Sequence, residues 1–170
     1  MKLLIAASLL VAASLLAGCV SQSHGLVLDP IGPPNPQLAG AGLNGTLMVF
    51  SAFDSLGDFN DLPYRRHYTD YKIESANGTL LQTVHNDSGL LESPKRLQLP
   101  VGAYRVVARA NGFGMVTVPV VIRADAITTV HLEGSSTWLD RGALRASNPV
   151  RLPNGDIAGW RASQDSPSKP

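Results

Sequence analysis

The sequence predicts an all-β fold: one antiparallel β-sandwich of seven short strands with a small hairpin appended. Three observations predict it. Between about residues 44 and 134, apolar residues alternate with polar ones at a period of two. The alternating runs are rich in β-branched residues, and turn residues punctuate them at near-regular intervals. No stretch there keeps the 3.6-residue period of an amphipathic helix.

Taken in order, the chain starts with an export signal over residues 1–18. Met1-Lys2 is a cationic start, and Leu3 to Leu16 is an uncharged run of Leu, Ile, Val, Ala and Ser. That run falls short of the roughly 20 apolar residues that span a bilayer. It ends in Leu16-Ala17-Gly18-Cys19, which resembles the bacterial lipobox. The resemblance implies cleavage between Gly18 and Cys19, a diacylglyceryl group on the Cys19 thiol and an acyl chain, such as palmitate, on the freed amine. Small side chains at Ala17 and Gly18 suit a narrow peptidase cleft. One acyl chain holds a protein only marginally, each buried methylene adding about 0.8 kcal/mol, so several chains on one residue make a durable anchor.

Cys19 is the only cysteine, so the exported part has no disulfide and must rest on an apolar core. Loss of residues 1–18 removes Lys2 and no acidic residue, leaving thirteen Lys and Arg (14 − 1) against thirteen Asp and Glu. A formally neutral mature chain gives no electrostatic case, from its net charge, for nucleic acid or for anionic lipid as a partner. Val20, rather than Asp, follows the lipidated cysteine. By the enterobacterial sorting rule this implies the outer membrane of a Gram-negative bacterium.

Residues 19–43 read as a lipidated tether, with Pro30, Pro33, Pro34 and Pro36 among Gly25, Gly32, Gly40 and Gly42. The sandwich follows over 44–134. Its expected strands are Thr46 to Ala52, Tyr68 to Ser75, Thr79 to His85, Lys95 to Leu99, Ala103 to Ala110, Met115 to Ile122 and Ile127 to Glu133. Ala76-Asn77-Gly78 supplies the strongest hairpin signal. Alternation turns Tyr104, Val106 and Ala108 inward and leaves Arg105 and Arg109 in water. Val116, Val118, Val120 and Ile122 form the next inward set. Pro119 cannot donate to a ladder, which makes its strand an edge or a bulged one. Over 135–162, Pro149 to Leu152 and Ile157 to Trp160 flank Pro153-Asn154-Gly155-Asp156 as a second hairpin. An isolated hairpin is marginal in water, so Leu152, Ile157 and Trp160 should dock on the main body. Residues 163–170 read as a disordered tail.

The run Leu99-Pro100-Val101-Gly102-Ala103-Tyr104-Arg105-Val106, followed by Ala110-Asn111-Gly112-Phe113, resembles the carboxypeptidase-regulatory-like and PEGA-type β-sandwich modules. The resemblance covers about residues 94–134 well and 44–93 by strand spacing alone. It implies an Ig-like or transthyretin-like sandwich and a non-catalytic role as spacer, adhesion unit or accessory domain. Independently, Pro100 fixes the backbone before the strand, Gly102 permits a conformation closed to other residues, and Tyr104 starts the inward face. The transthyretin-like hydrolase of urate breakdown ends in Tyr-Arg-Gly-Ser, which is absent here.

Candidate sites are few. The histidines His24, His67, His85 and His131 form no close-spaced zinc pair. Asp54, Asp58 and Asp61, with Asn60, are the best calcium candidate, since calcium takes several oxygen ligands from one loop; the spacing matches no EF-hand, and loop aspartates usually cap turns. The same loop continues through Tyr64, Arg65, Arg66, Tyr68 and Tyr71, near Phe53 and Phe59. Tyr and Arg are enriched in binding hot spots, and aromatic rings stack on sugars, so these five are the candidate ligand or partner contacts. The competing reading packs the loop's aromatics on the sheet. Trp138 and Trp160 carry the same two readings. The serines lack a glycine-elbow context, and no cofactor is implied. The expectation is therefore a non-enzymatic envelope lipoprotein held to the membrane through Cys19 and contacting an envelope protein. The alternative is a glycan or cell-wall ligand module using residues 53–71.

Overall fold

The alternating runs fold as strands. The computed structural model describes residues 25–35, 40–55, 66–86, 93–134 and 148–163, and every regular element among them is β. The thirteen strands are β1 (Leu26–Val27), β2 (Ile31–Gly32), β3 (Asn44–Phe50), β4 (Phe53–Ser55), β5 (Arg66–Tyr68), β6 (Tyr71–Ser75) and β7 (Leu80–Val84), then β8 (Arg96–Pro100), β9 (Gly102–Ala110), β10 (Gly114–Ile122), β11 (Ile127–His131), β12 (Pro149–Arg151) and β13 (Ile157–Arg161). The larger sheet has the order β12-β13-β2-β10-β9-β6-β7, with β1 also on β10. The smaller sheet is β11-β3-β8, and β4 pairs with β5 alone.

One apolar cluster draws on both sheets. Val106, Ala108, Val116, Val118, Val120 and Ile122 come from the larger sheet, and Leu47, Val49, Leu99, Val130 and Leu132 from the smaller sheet and its end. Each fully buried Val, Leu or Ile among them contributes about 1.5–3 kcal/mol. Burial of alternate residues along β9 and β10 fixes their register from Gly114 opposite Ala110 to Ile122 opposite Gly102. The β6–β7 turn closes through Ser75, whose N–H donates to the Thr79 carbonyl at 2.8 Å, with Gly78 at a φ of 90°.

Four expectations need correction. First, the sheets are mixed rather than antiparallel throughout. β11 runs parallel to β3, and β1 and β2 run parallel to β10. A two-residue hairpin forces antiparallel neighbours, but these pairs join segments far apart in sequence, whose connections leave direction open.

Second, part of the stretch assigned to a tether is sheet, Leu26–Val27 and Ile31–Gly32. Leu28 and Ile31 are buried, Ile31 completely. The Leu28 N–H donates to the Thr117 carbonyl at 3.0 Å. Pro30 has no N–H to lose, and its carbonyl accepts from Ala162 at 2.8 Å. Further on, Gly40 and Gly42 donate to the Ala124 carbonyl and the Asp125 carboxylate, at 2.9 and 3.1 Å.

Third, Pro119 lies on an interior strand, between β9 on one side and β1 and β2 on the other. Its pairing with Arg105 carries no register shift. The Thr117 carbonyl faces β1, so two residues on, the missing Pro119 N–H falls on that same side. There the neighbour is split: β1 ends opposite Thr117 and β2 begins opposite Val120. The lost donor coincides with a gap in the partner strand.

Fourth, Gly102 is not in the left-handed region; the glycines at positive φ around this hairpin are Gly112 and Gly114, at 80° and 73°, on either side of Phe113. At the strand entry it is Tyr104 that acts, its hydroxyl donating to the Pro100 carbonyl at 3.0 Å.

The C-terminal strands complete the larger sheet. β13 pairs with β12 and, through Trp160 and Arg161, with Gly32 and Ile31 of β2. Leu152, Ile157 and Trp160 are buried. Asp29 and Arg161 form an ion pair at 2.6 Å across this seam.

Candidate functional site

Chemistry-bearing side chains gather where β3 and β11 end side by side. Residues of one parity on β11 (Thr128, Val130) and beyond it (Leu132) are buried inward, so His131 and Glu133 share the opposite face. The parallel register sets His131 beside Phe50, and their rings stack at 4.5 Å with a 10° interplanar angle. Tyr68 meets Phe50 edge-on at 5.6 Å and 83°, and Phe53, its partner in the β4–β5 ladder, lies 4.8 Å from it. These separations suit offset or edge-to-face aromatic pairs, each worth about 0.5–1.5 kcal/mol beyond its buried area.

Polar groups tie the same corner together. His131 Nδ1 lies 2.8 Å from Glu133 Oε1, and both side chains are under a tenth exposed. Glu133 Oε2 is buried and makes no hydrogen bond among the described residues. Asn111, in the β9–β10 turn, donates from Nδ2 to the Glu133 carbonyl at 2.5 Å and from its backbone to Leu132 at 2.9 Å. Ser51, fully buried, donates to the Thr69 carbonyl at 2.6 Å, and Thr69 N–H donates to Ala52 at 2.8 Å. The arrangement fastens β11, the β9–β10 turn and the β4–β5 arm to the end of β3. His131 is oriented by a carboxylate and covered by a ring, so it serves packing and polar pairing at this corner.

No family model, curated protein or solved structure matches this chain.

Of the five candidate contacts, Tyr68 is half-buried within the aromatic stack. Tyr71 is 2% exposed, inside the core beside Ile73, and cannot meet a ligand or partner; this corrects its assignment. Burial raises its phenol from 10.0 to about 12, and its hydroxyl makes no hydrogen bond among the described residues. Arg66 contributes backbone to β5 opposite Ser55, and Asp54 contributes backbone to β4 opposite His67. Tyr64, Arg65, Asp58, Asp61, Gly18 and Cys19 lie outside the described residues, as do Phe59, Asn60, His24 and Trp138. Among the described residues no three His, Cys, Asp or Glu side chains are grouped to hold a metal. His85 instead pairs with Asp70 at 2.5 Å on the surface, where Asp70 also accepts from the Asn86 N–H.

The sequence offers His131 only as a histidine without a zinc partner and assigns no role to Phe50 or Glu133. One signal could have found the histidine–glutamate pair: residues i and i+2 of a strand share a face, so His131 and Glu133 were bound to be neighbours.

Proposed function

We propose that this protein is a membrane-anchored envelope lipoprotein whose β-domain acts as a non-catalytic structural or protein-interaction module. The observation that carries the reading is Leu16-Ala17-Gly18-Cys19 at the end of a short apolar leader with a cationic start. Lipid on Cys19 would supply the membrane attachment, and Val20 after it favours the outer membrane. The chain enters the larger sheet at Leu26, close behind Cys19, as suits a domain carried by that anchor. Of the five candidate ligand or partner contacts, Tyr68 is engaged in an aromatic stack and Tyr71 in the core, which weakens the case for a glycan site built on those two rings.

The finer fold assignment belongs here too. Apart from the β4–β5 arm, the seven strands described over residues 44–134 divide as β7-β6-β9-β10 and β8-β3-β11. In an immunoglobulin constant domain the third strand joins the sixth and seventh. Here the third strand, β7, joins the second, fifth and sixth, which favours the transthyretin-like alternative.

The test is photo-crosslinking in the intact envelope from the exposed positions Leu43 and Val101. The reading expects discrete protein adducts that disappear with Cys19→Ala. Saccharide adducts without protein, or protein adducts unchanged by Cys19→Ala, would overturn it.

A further inference from the structure

The anchor and the sheet lie closer together than a tether would put them. Gly25 is six residue steps from Cys19 (25 − 19), a reach of at most about 20 Å even when fully extended. From Gly25 the chain runs directly into β1, parallel to β10, with Leu26 opposite Val116 and Val27 opposite Thr117. Gly25 itself lies against Met115, whose carbonyl would sit 3.0 Å from a Cβ at that position. The anchored end therefore leaves the domain beside the β9–β10 turn.

That exit is flanked by apolar surface. Val27 is 61% exposed and Met115 52%, and both point outward, since Leu28 and Val116 on either side of them in the alternation are buried. Phe113 stands half-buried in the turn. Arg109, opposite Met115 in the ladder, and Lys72, opposite Val107, are exposed on the same outer face. Two described carboxylates at this end are paired with histidines, Asp70 with His85 and the buried Glu133 with His131. Apolar side chains backed by cations, next to a lipidated terminus, have the chemistry of a surface that lies on headgroups and dips about 5–10 Å toward the acyl boundary.

We propose that the β9–β10 turn end of the sandwich, through Val27 and Met115, rests on the lipid surface that holds Cys19. This rests on the lipoprotein reading above. It sets the domain upright on the bilayer, with the β8–β9 turn at the opposite end turned away. At that far end Leu43 and Val101 are exposed, joined by a backbone hydrogen bond of 2.9 Å.

In the lipidated protein the Cys19 thiol is blocked as a thioether, so an introduced cysteine is the only one that labels. Met115→Cys and Val101→Cys, each carrying an environment-sensitive fluorophore, are reconstituted into phosphatidylethanolamine–phosphatidylglycerol vesicles containing nitroxide lipids. The proposal expects the label at 115 to be quenched several-fold more than the label at 101, and to be shielded from aqueous iodide. Equal quenching, or stronger quenching at 101, overturns it while the protein still floats with the vesicles. If neither protein floats or carries lipid, the anchor reading fails and the proposal falls with it.

Discussion

Replacing Ile31 with alanine separates a strand from a tether. Ile31 is fully buried, paired with Val120 on one side and Arg161 on the other, and its Cγ2 and Cδ1 lie against Gly159. Truncating a buried isoleucine removes its transfer free energy and leaves a cavity, together about 2–5 kcal/mol. The seam between β2 and β13 is two residue pairs long, so partial collapse is available and the lower half of that range applies. A loss of about 2–3 kcal/mol is expected. Urea unfolding followed by tryptophan fluorescence should show the midpoint fall with an unchanged slope. Val27→Ala, one strand earlier and 61% exposed, serves as the control and should stay within about 0.5 kcal/mol. If Ile31→Ala is as silent as Val27→Ala, residues 26–32 are a leash and not sheet, and the close coupling of anchor to domain is lost.

Three further substitutions probe the same packing. Tyr71→Phe removes a buried hydroxyl without a partner among the described residues, so stability at pH 7 should rise by up to about 1 kcal/mol rather than fall. The Tyr71 phenol is raised from 10.0 to about 12, so below pH 10 both states are protonated and it adds no pH dependence. Above pH 10 the unfolded state ionises first, and stability should fall by about 1.4 kcal/mol per pH unit toward pH 12; the difference between wild type and Tyr71→Phe in urea melts at pH 9 and 11 isolates this limb. Gly159→Ala would put a Cβ 2.8 Å from Ile31 and 3.0 Å from the Thr129 carbonyl, costing about 1–3 kcal/mol and exposing the 148–163 hairpin to limited proteolysis. Tyr104→Phe loses the hydrogen bond to Pro100 and should cost about 0.5–1.5 kcal/mol in the same urea melts.

The long strands were legible because their alternation runs for many residues. β9 and β10 each bury every second side chain over much of nine residues, and no other periodicity competes. β1 and β2 were not legible, since a two-residue strand has no period and Pro30 signals a break. Their burial comes from β10 and β13, partners more than 80 residues away in sequence. Tyr71 was misread although the signal was present: it is in phase with the buried Ile73, and phase outranks the residue type's taste for binding sites. Pro119 was correctly read as a missing donor, but a sequence cannot show that the opposite strand would be broken at that point. The aromatic corner needed the parallel register of β3 and β11 before Phe50 and His131 could be set side by side.

The most direct measurement is the intact mass of the protein extracted from native membranes, with the N-terminal peptide sequenced by fragmentation. The account predicts a chain that begins at Cys19, carries diacylglyceryl and acyl groups on that residue, and leaves the membrane fraction in Cys19→Ala. An unlipidated chain, one starting elsewhere, or a Cys19→Ala protein still held in the membrane would contradict it.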